Sequence, residues 1–104
     1  MVKAEVVPTV TVRVFVGDPE RLGEVGRIAV SRVAAAAGRF GEGVEVRVLR
    51  LDSAEAMDFG AGIEPTVAVE DLVLTTGQAP AAGHVVRAIT VAFGARGSGV
   101  GAAA

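Results

Sequence analysis

Residues 62–69 read GIEPTVAV and residues 72–76 read LVLTT, with Glu70 and Asp71 between the two segments. Short runs rich in valine, leucine and threonine that are separated by two residues are typical of a β-hairpin. Gly77 follows the second run, and Pro65 stands directly before the first. The sequence therefore predicts strands at residues 66–69 and 72–76, joined by a tight turn and preceded by a proline-led loop.

Upstream of this hairpin, the chain has the pattern of a strand, a helix and a second strand. Residues 10–16 read VTVRVFV, and this alternation of valines with other residues indicates a strand. Asp18 is a favourable N-cap and Pro19 a favourable first residue for a helix that runs to about Ala37. Residues 44–51 form the next strand, which should lie parallel to the first because a helix connects them. The residues expected on the buried side of this helix are Leu22, Val25, Ala29, Val33, Ala36 and Phe40.

Two further helices complete the predicted order of elements. Asp52 or Ser53 can cap a short second helix that ends at about Phe59, and a last helix runs from Pro80 to about Phe93. The order β-α-β-α-β-β-α predicts an α/β fold with a four-stranded mixed sheet and helices on both faces. Residues 1–8 would form an N-terminal extension, residues 9–94 the domain, and residues 95–104 a flexible glycine- and alanine-rich tail.

The composition limits the chemistry that the chain can perform. It has 104 residues, enough for one domain, and no cysteine, which excludes disulfides, thiolate catalysis and cysteine-ligated metals. A net charge of −2 gives no support for a nucleic-acid partner, and no apolar run is long enough to span a membrane. No signal peptide is recognisable, so we expect a cytoplasmic protein. Nine arginines, one lysine and no asparagine suit a thermophilic source, although high genomic GC content would also enrich arginine.

The order of elements and the proline-led hairpin resemble the small thioredoxin-like proteins, which include thioredoxin and glutaredoxin. By this resemblance, Pro65 corresponds to the cis-proline of that family, so the Glu64–Pro65 bond is expected to be cis. The Cys-x-x-Cys motif of the family would fall on residues 19–22 or 20–23, where this chain has no cysteine, serine or threonine. The resemblance therefore implies the fold without dithiol oxidoreductase activity. The segments VGDP at residues 16–19 and EPT at residues 64–66 also resemble the KaiB clock proteins, cysteine-independent thioredoxin-like domains that act through protein contacts.

The resemblance brings three carboxylates together at the position of the missing motif. Asp18 and Glu20 would lie at the start of the first helix, and Glu64 would lie beside them. One interpretation is a site for a small ligand or divalent metal, or a docking surface for a basic partner; the other is helix capping with Glu64 in solvent. The predicted ligand or partner contacts are Asp18, Pro19, Glu20, Glu64 and Pro65. We assign no catalytic residue, metal ligand or cofactor, and we expect the single histidine, His84, to face solvent.

Two further surfaces are candidates for an interface. Arg13 and Arg47 occupy the same face of neighbouring predicted strands, and a short helix would leave part of this face open. Arg13 could instead pair with Glu45 or Asp58. Gly23 and Gly26 fall within the first predicted helix, where they would allow close approach of either the sheet or another chain. The predicted interface residues are Arg13, Phe15, Arg47, Leu49, Gly23 and Gly26.

A thioredoxin-like scaffold without thiols predicts a non-redox protein-interaction or self-association module that binds a protein partner or another copy of itself. Two alternatives remain open at this point. One is a carboxylate-lined site for a small ligand or divalent metal in place of the former active site, and the other is a degenerate structural subunit of a redox complex. Because function depends on the site rather than on the fold, the sequence alone does not choose between them.

Overall fold

A computed structural model describes the backbone of residues 9–103 and the side chains of residues 9–95. The predicted N-terminal extension, residues 1–8, lies outside the described residues. The elements follow the predicted β-α-β-α-β-β-α order, with a single 3-10 turn, Gly41–Gly43, before the second strand. They are β1 (Val10–Val16), α1 (Glu24–Gly38), β2 (Val44–Arg50), α2 (Ala54–Asp58), β3 (Thr66–Val69), β4 (Leu72–Thr76) and α3 (Ala82–Ala103).

The four strands form one mixed sheet in the order β2-β1-β3-β4. β1 pairs in parallel with β2, so that Val10 lies opposite Val44, and it pairs antiparallel with β3 on its other side. β3 pairs antiparallel with β4 across the Glu70–Asp71 turn, with a β-bulge at Leu74, the residue of β4 between the partners of Val67 and Ala68. The predicted hairpin, its strand bounds and the parallel β1–β2 pair are therefore confirmed.

The main core lies between one face of the sheet and the helices α1 and α3. The four valines of β1 are fully buried there, because alternate residues of a strand point to the same face. Residues from both helices pack against these valines. The buried helix residues of this core are Ala29, Val33, Ala36, Val85, Ala88 and Ile89.

The opposite face of the sheet is covered by α2, and this corrects one prediction. Phe15, expected to be exposed, is fully buried, because the ring of Phe59 at the end of α2 lies 5.5 Å from its ring. The guanidinium of Arg13 lies 5.2 Å from the centre of the same Phe59 ring. Leu49 is half-buried. A short helix thus covers this face more completely than its length suggested.

The start of α1 differs from the prediction as well. Asp18 does not cap the helix; its carboxylate accepts a hydrogen bond from the Glu20 amide at 3.0 Å, and its carbonyl accepts one from the Arg21 amide at 3.0 Å. These bonds form a turn, and α1 begins only at Glu24, with Gly23 as its N-cap. Gly23 is therefore outside the helix interior.

The helices differ from the prediction in smaller ways as well. Val25, expected in the core, is 45% exposed. Of the two candidate caps for α2, Asp52 and Ser53, the structure shows Ser53, since the Ala56 amide donates to its hydroxyl at 3.1 Å. Helix α3 continues to Ala103, beyond Phe93, although residues 94–103 include four glycines, which disfavour a helix. In the described part of the chain, no helix has the length and apolar character needed to cross a membrane.

We expect Ile89→Ala to lower the free energy of unfolding by about 2–4 kcal/mol, because this fully buried side chain fills the core beneath β1. Val91→Ala is a control on the same helix, where the side chain is 63% exposed. Its effect should stay within about 0.5 kcal/mol. Urea unfolding monitored by circular dichroism measures both, and equal losses would contradict this placement of the core.

Candidate functional site

Three loops meet where β1 ends. The amide of Gly17, directly after β1, donates a hydrogen bond to Oε1 of Glu64 in the loop before β3. The amide of Gly77, directly after β4, donates to the carbonyl of Pro65 at 2.7 Å. Both bonds cross between separate loops, so they fix the loops relative to one another. We call the resulting area the loop-end surface; its residues are Gly17, Asp18, Glu20, Ile63, Glu64 and Gly77.

Glu64 reaches across this surface to the main chain of β1. A Cβ atom at position 17 would lie 3.1 Å from Glu64 Oε1, closer than most Cβ contacts. Glycine at position 17 therefore leaves room for the carboxylate to bond the amide. The side chain of Glu64 remains exposed, which places a negative charge at this end of the sheet.

The proline loop places the ring of Pro65 differently from the prediction. The Glu64–Pro65 peptide bond is cis. However, the Pro65 ring is fully buried and its carbonyl is bonded to Gly77. Pro65 therefore positions the loop, and its ring is not available as the ligand contact that we expected.

Ile63 was missed by the sequence analysis. Its side chain is 61% exposed, and it lies against Gly77, where an added Cβ would come within 3.3 Å of Ile63 Cγ2. Its carbonyl accepts a hydrogen bond from the Thr66 hydroxyl at 2.7 Å, which fixes the backbone beneath it. The available signal was its position between Gly62 and the proline-led turn, because a large apolar residue in a loop has no strand or helix to bury it.

The three carboxylates lie in this region without forming a metal site. Those of Asp18 and Glu64 each accept a backbone amide hydrogen bond, and Glu20 is exposed. Pro19 is half-buried in the turn between them. Among the described residues, no group of three or more histidine, cysteine, aspartate or glutamate side chains could hold a metal ion. Two of the three carboxylates instead stabilise the loop backbone.

A second concave region lies on the α2 face of the sheet, with a volume of about 490 Å³. Arg13 Nε lies 2.7 Å from Glu55 Oε2, and Arg47 Nη1 lies 3.1 Å from the same oxygen. The predicted partners of Arg13, Glu45 or Asp58, were therefore wrong. The hydrogen bond from Arg13, with the positive charge of Arg47, holds the pKa of the Glu55 carboxyl below its ordinary value. The residues lining the concavity are Arg13, Glu55, Asp58, Phe59, Asp71 and Val73.

The two glycines of the first helical region have different surroundings. Gly26 is buried in α1, and an added Cβ would lie 3.8 Å from the Val16 side chain, so the helix approaches the sheet at this point. Nothing lies within 4 Å of a Cβ at Gly23. Because 3.8 Å is an ordinary contact distance, the close approach that the sequence predicted is required at neither glycine. His84 is exposed on α3, as expected.

Solved structures show the same arrangement of elements. Thioredoxin-2, a component of the malaria parasite protein secretion machinery, superposes with a TM-score of 0.61 at 15% identity, over 85% of this chain and 87% of its own. This chain has a thioredoxin-like fold. A second structure, of a malarial protein, gives a TM-score of 0.59 at 15% identity, over 79% of this chain and 94% of its own. No family model and no curated protein sequence matches the chain.

The thioredoxin-like fold is present here without its usual chemistry. The chain contains no cysteine, and thiol–disulfide exchange requires an attacking thiolate. The predicted fold and the predicted loss of thiol chemistry are both confirmed.

We expect Glu55→Gln to destabilise the protein at neutral pH and to matter less in acid. Because the pKa of Glu55 is lowered in the folded state, its stabilising effect is complete above the unfolded pKa of about 4.3. It is lost as the pH falls through the lower folded pKa. Urea unfolding from pH 7 down to about 3 measures the difference from the unmodified protein. The control is the same substitution in an Arg13→Gln background, where it should have a smaller effect. A loss of unfolding free energy that stays the same from pH 7 to about 3 would contradict the lowered pKa of Glu55.

Restoring thiols should not restore activity. In the variant Pro19→Cys with Leu22→Cys, both thiols precede the first residue of α1, Glu24, so the helix dipole lowers their pKa less than within the first turn. We expect no more insulin reduction with dithiothreitol than the single variant Pro19→Cys produces. Slow alkylation by iodoacetamide should accompany this result. Robust turnover by the double variant alone would show that the loop-end surface is still arranged for redox chemistry.

Proposed function

We propose that this protein is a non-redox module that binds a protein partner through the loop-end surface. The observation that carries the proposal is the bond from the Gly17 amide to Glu64. It places an exposed carboxylate at the end of β1, in a chain that has no thiol to react there. A protein contact uses this surface without requiring any chemical step.

The surface is ordered before a partner arrives. The bonds from Gly17 to Glu64 and from Gly77 to Pro65 join three loops, and the bond from Thr66 to the Ile63 carbonyl fixes the exposed side chain between them. Binding therefore needs little ordering of the loops, which lowers the entropic cost of association.

The chemistry of the surface favours one kind of partner. Ile63 supplies an exposed apolar side chain, its neighbour Glu64 supplies an exposed carboxylate, and Glu20 supplies another in the turn after Gly17. An apolar contact with a charged surround is typical of protein interfaces. The matching partner segment would carry an apolar side chain flanked by lysine or arginine.

Affinity capture with the immobilised protein tests this proposal. Ile63→Asp should lower the amount of a captured partner at least about tenfold, because it replaces the exposed apolar side chain with a further carboxylate. The control is Ala35→Asp, which adds the same charge on the exposed side of α1. Quantitative mass spectrometry compares the three captured sets. If Ile63→Asp and the unmodified protein retain the same proteins, the loop-end surface is not the binding site.

A further inference from the structure

Helix α1 carries a second exposed surface that combines an apolar side chain with charge. Ile28 is 37% exposed, and together with Arg27, Ser31 and Arg32 it lines a concavity of about 430 Å³. Both arginines are exposed. We call these four residues the α1 patch. Ala35, one turn farther along the helix, does not line the concavity.

The positive charges of the α1 patch are unpaired in the described part of the chain. The side chain of Arg27 has no hydrogen bond or ion pair there. Arg32 donates to the carbonyl of Pro80 at 3.3 Å, a bond to a neutral group that leaves its charge unpaired. Helix α1 contains one carboxylate, that of Glu24, against these two arginines. The patch therefore presents an apolar side chain in positively charged surroundings.

The α1 patch has the chemistry that the loop-end surface requires of a partner. At the loop-end surface, the exposed side chain of Ile63 adjoins the exposed carboxylate of Glu64. Its matching partner is an apolar side chain flanked by lysine or arginine. Ile28 meets this description, because Arg27 precedes it and Arg32 lies one helical turn beyond it, on the same side of α1.

The two complementary surfaces lie close together on one molecule. A Cβ added at Gly77 would lie 3.3 Å from Ile63 Cγ2, and Arg32 Nη1 lies 3.3 Å from the carbonyl oxygen of Pro80. The Cα atoms of Gly77 and Pro80 are at most about 11 Å apart, because three peptide units join them. Gln78, between them, is exposed. One partner molecule can therefore contact both surfaces at once.

We infer that this partner is a second copy of the chain, related by a twofold axis, so that the loop-end surface of each copy contacts the α1 patch of the other. Ile63 of one copy then lies against Ile28 of the other, and Glu64 faces the two arginines. A twofold axis repeats this contact and closes the assembly as a dimer. The inference rests on the proposed function, because it names the partner of the loop-end surface.

Like charges disfavour the other ways in which two copies could use these surfaces. Contact between two α1 patches would bring four arginines together. Contact between two loop-end surfaces would bring the carboxylates of Asp18, Glu20 and Glu64 against their own copies. Because such pairings are repulsive, contact between the two unlike surfaces is selected. This arrangement also gives every exposed arginine of the patch an acidic surface to face.

Mixing two variants tests the pairing, and sedimentation equilibrium measures it. The unmodified protein should dimerise over concentrations from about 1 µM to about 1 mM. Ile28→Glu places a carboxylate against the partner's acidic surface, and Ile63→Lys places an ammonium group against the partner's arginines. Each variant alone should therefore raise Kd at least about tenfold. In an equimolar mixture, one contact of the dimer is unmodified and the other joins the two introduced charges. The mixture should return Kd to within about threefold of the original value.

Arg87→Glu is the control, because this exposed residue of α3 belongs to neither surface. It should leave Kd unchanged. Three outcomes would overturn the inference: a monomer at every concentration, a dimer that neither Ile28→Glu nor Ile63→Lys weakens, and a mixture that does not regain the dimer. Should a variant fail to fold, amide chemical shifts of the unmodified protein decide the question. Those of residues 27–32 and 62–64 must change together on dilution; shifts independent of concentration contradict the dimer.

The capture experiment separates failure of this inference from failure of the proposed function. If a second copy is the partner, the protein that Ile63→Asp fails to capture is this chain itself. A monomeric protein for which Ile63→Asp still loses a captured protein overturns the dimer and leaves the loop-end surface as the binding site for a different partner. A monomer whose captured proteins are also unchanged by Ile63→Asp overturns both.

Discussion

The position of β1 is the constraint on which the rest of the structure depends. This strand is hydrogen-bonded on both sides, to β2 in parallel and to β3 antiparallel. Its four valines face α1 and α3, and its intervening residues Arg13 and Phe15 face α2. Both layers of helices therefore pack on the two faces of one strand. Its last residue, Val16, also fixes where Gly17 and the loop-end surface begin.

The loop-end surface shows how a thioredoxin-like scaffold keeps its loops in place without thiols. Glu64 bonds the Gly17 amide and Pro65 bonds the Gly77 amide, so main-chain groups that would otherwise need other partners are satisfied. The negatively charged carboxylate of Glu64 also repels an approaching thiolate or phosphate. The same interaction therefore stabilises the loops and opposes the chemistry usually associated with this fold.

Features set by neighbouring residues could be predicted from the sequence, and features set by distant residues could not. The strands β3 and β4 and the Ser53 cap follow from patterns within a few residues. The burial of Phe15 depends on Phe59, far along the chain. The partner of Arg13 could not be chosen among nearby carboxylates without knowing which side of α2 faces the sheet. The start of α1 was misplaced for a local reason, since Asp18 serves equally well in a turn as in a helix cap.

The charges of the chain are distributed unevenly over its surfaces. On the α2 face, Arg13 and Arg47 share one carboxylate, that of Glu55. At the loop-end surface, Glu20 and Glu64 are exposed, and Glu64 adjoins the exposed Ile63 in the chain. Because electrostatic complementarity chiefly selects a partner, the exposed carboxylates of the loop-end surface are better placed to select one than the arginines of the α2 face, which already bond Glu55. The sheet with β1 at its centre holds these two surfaces in fixed positions.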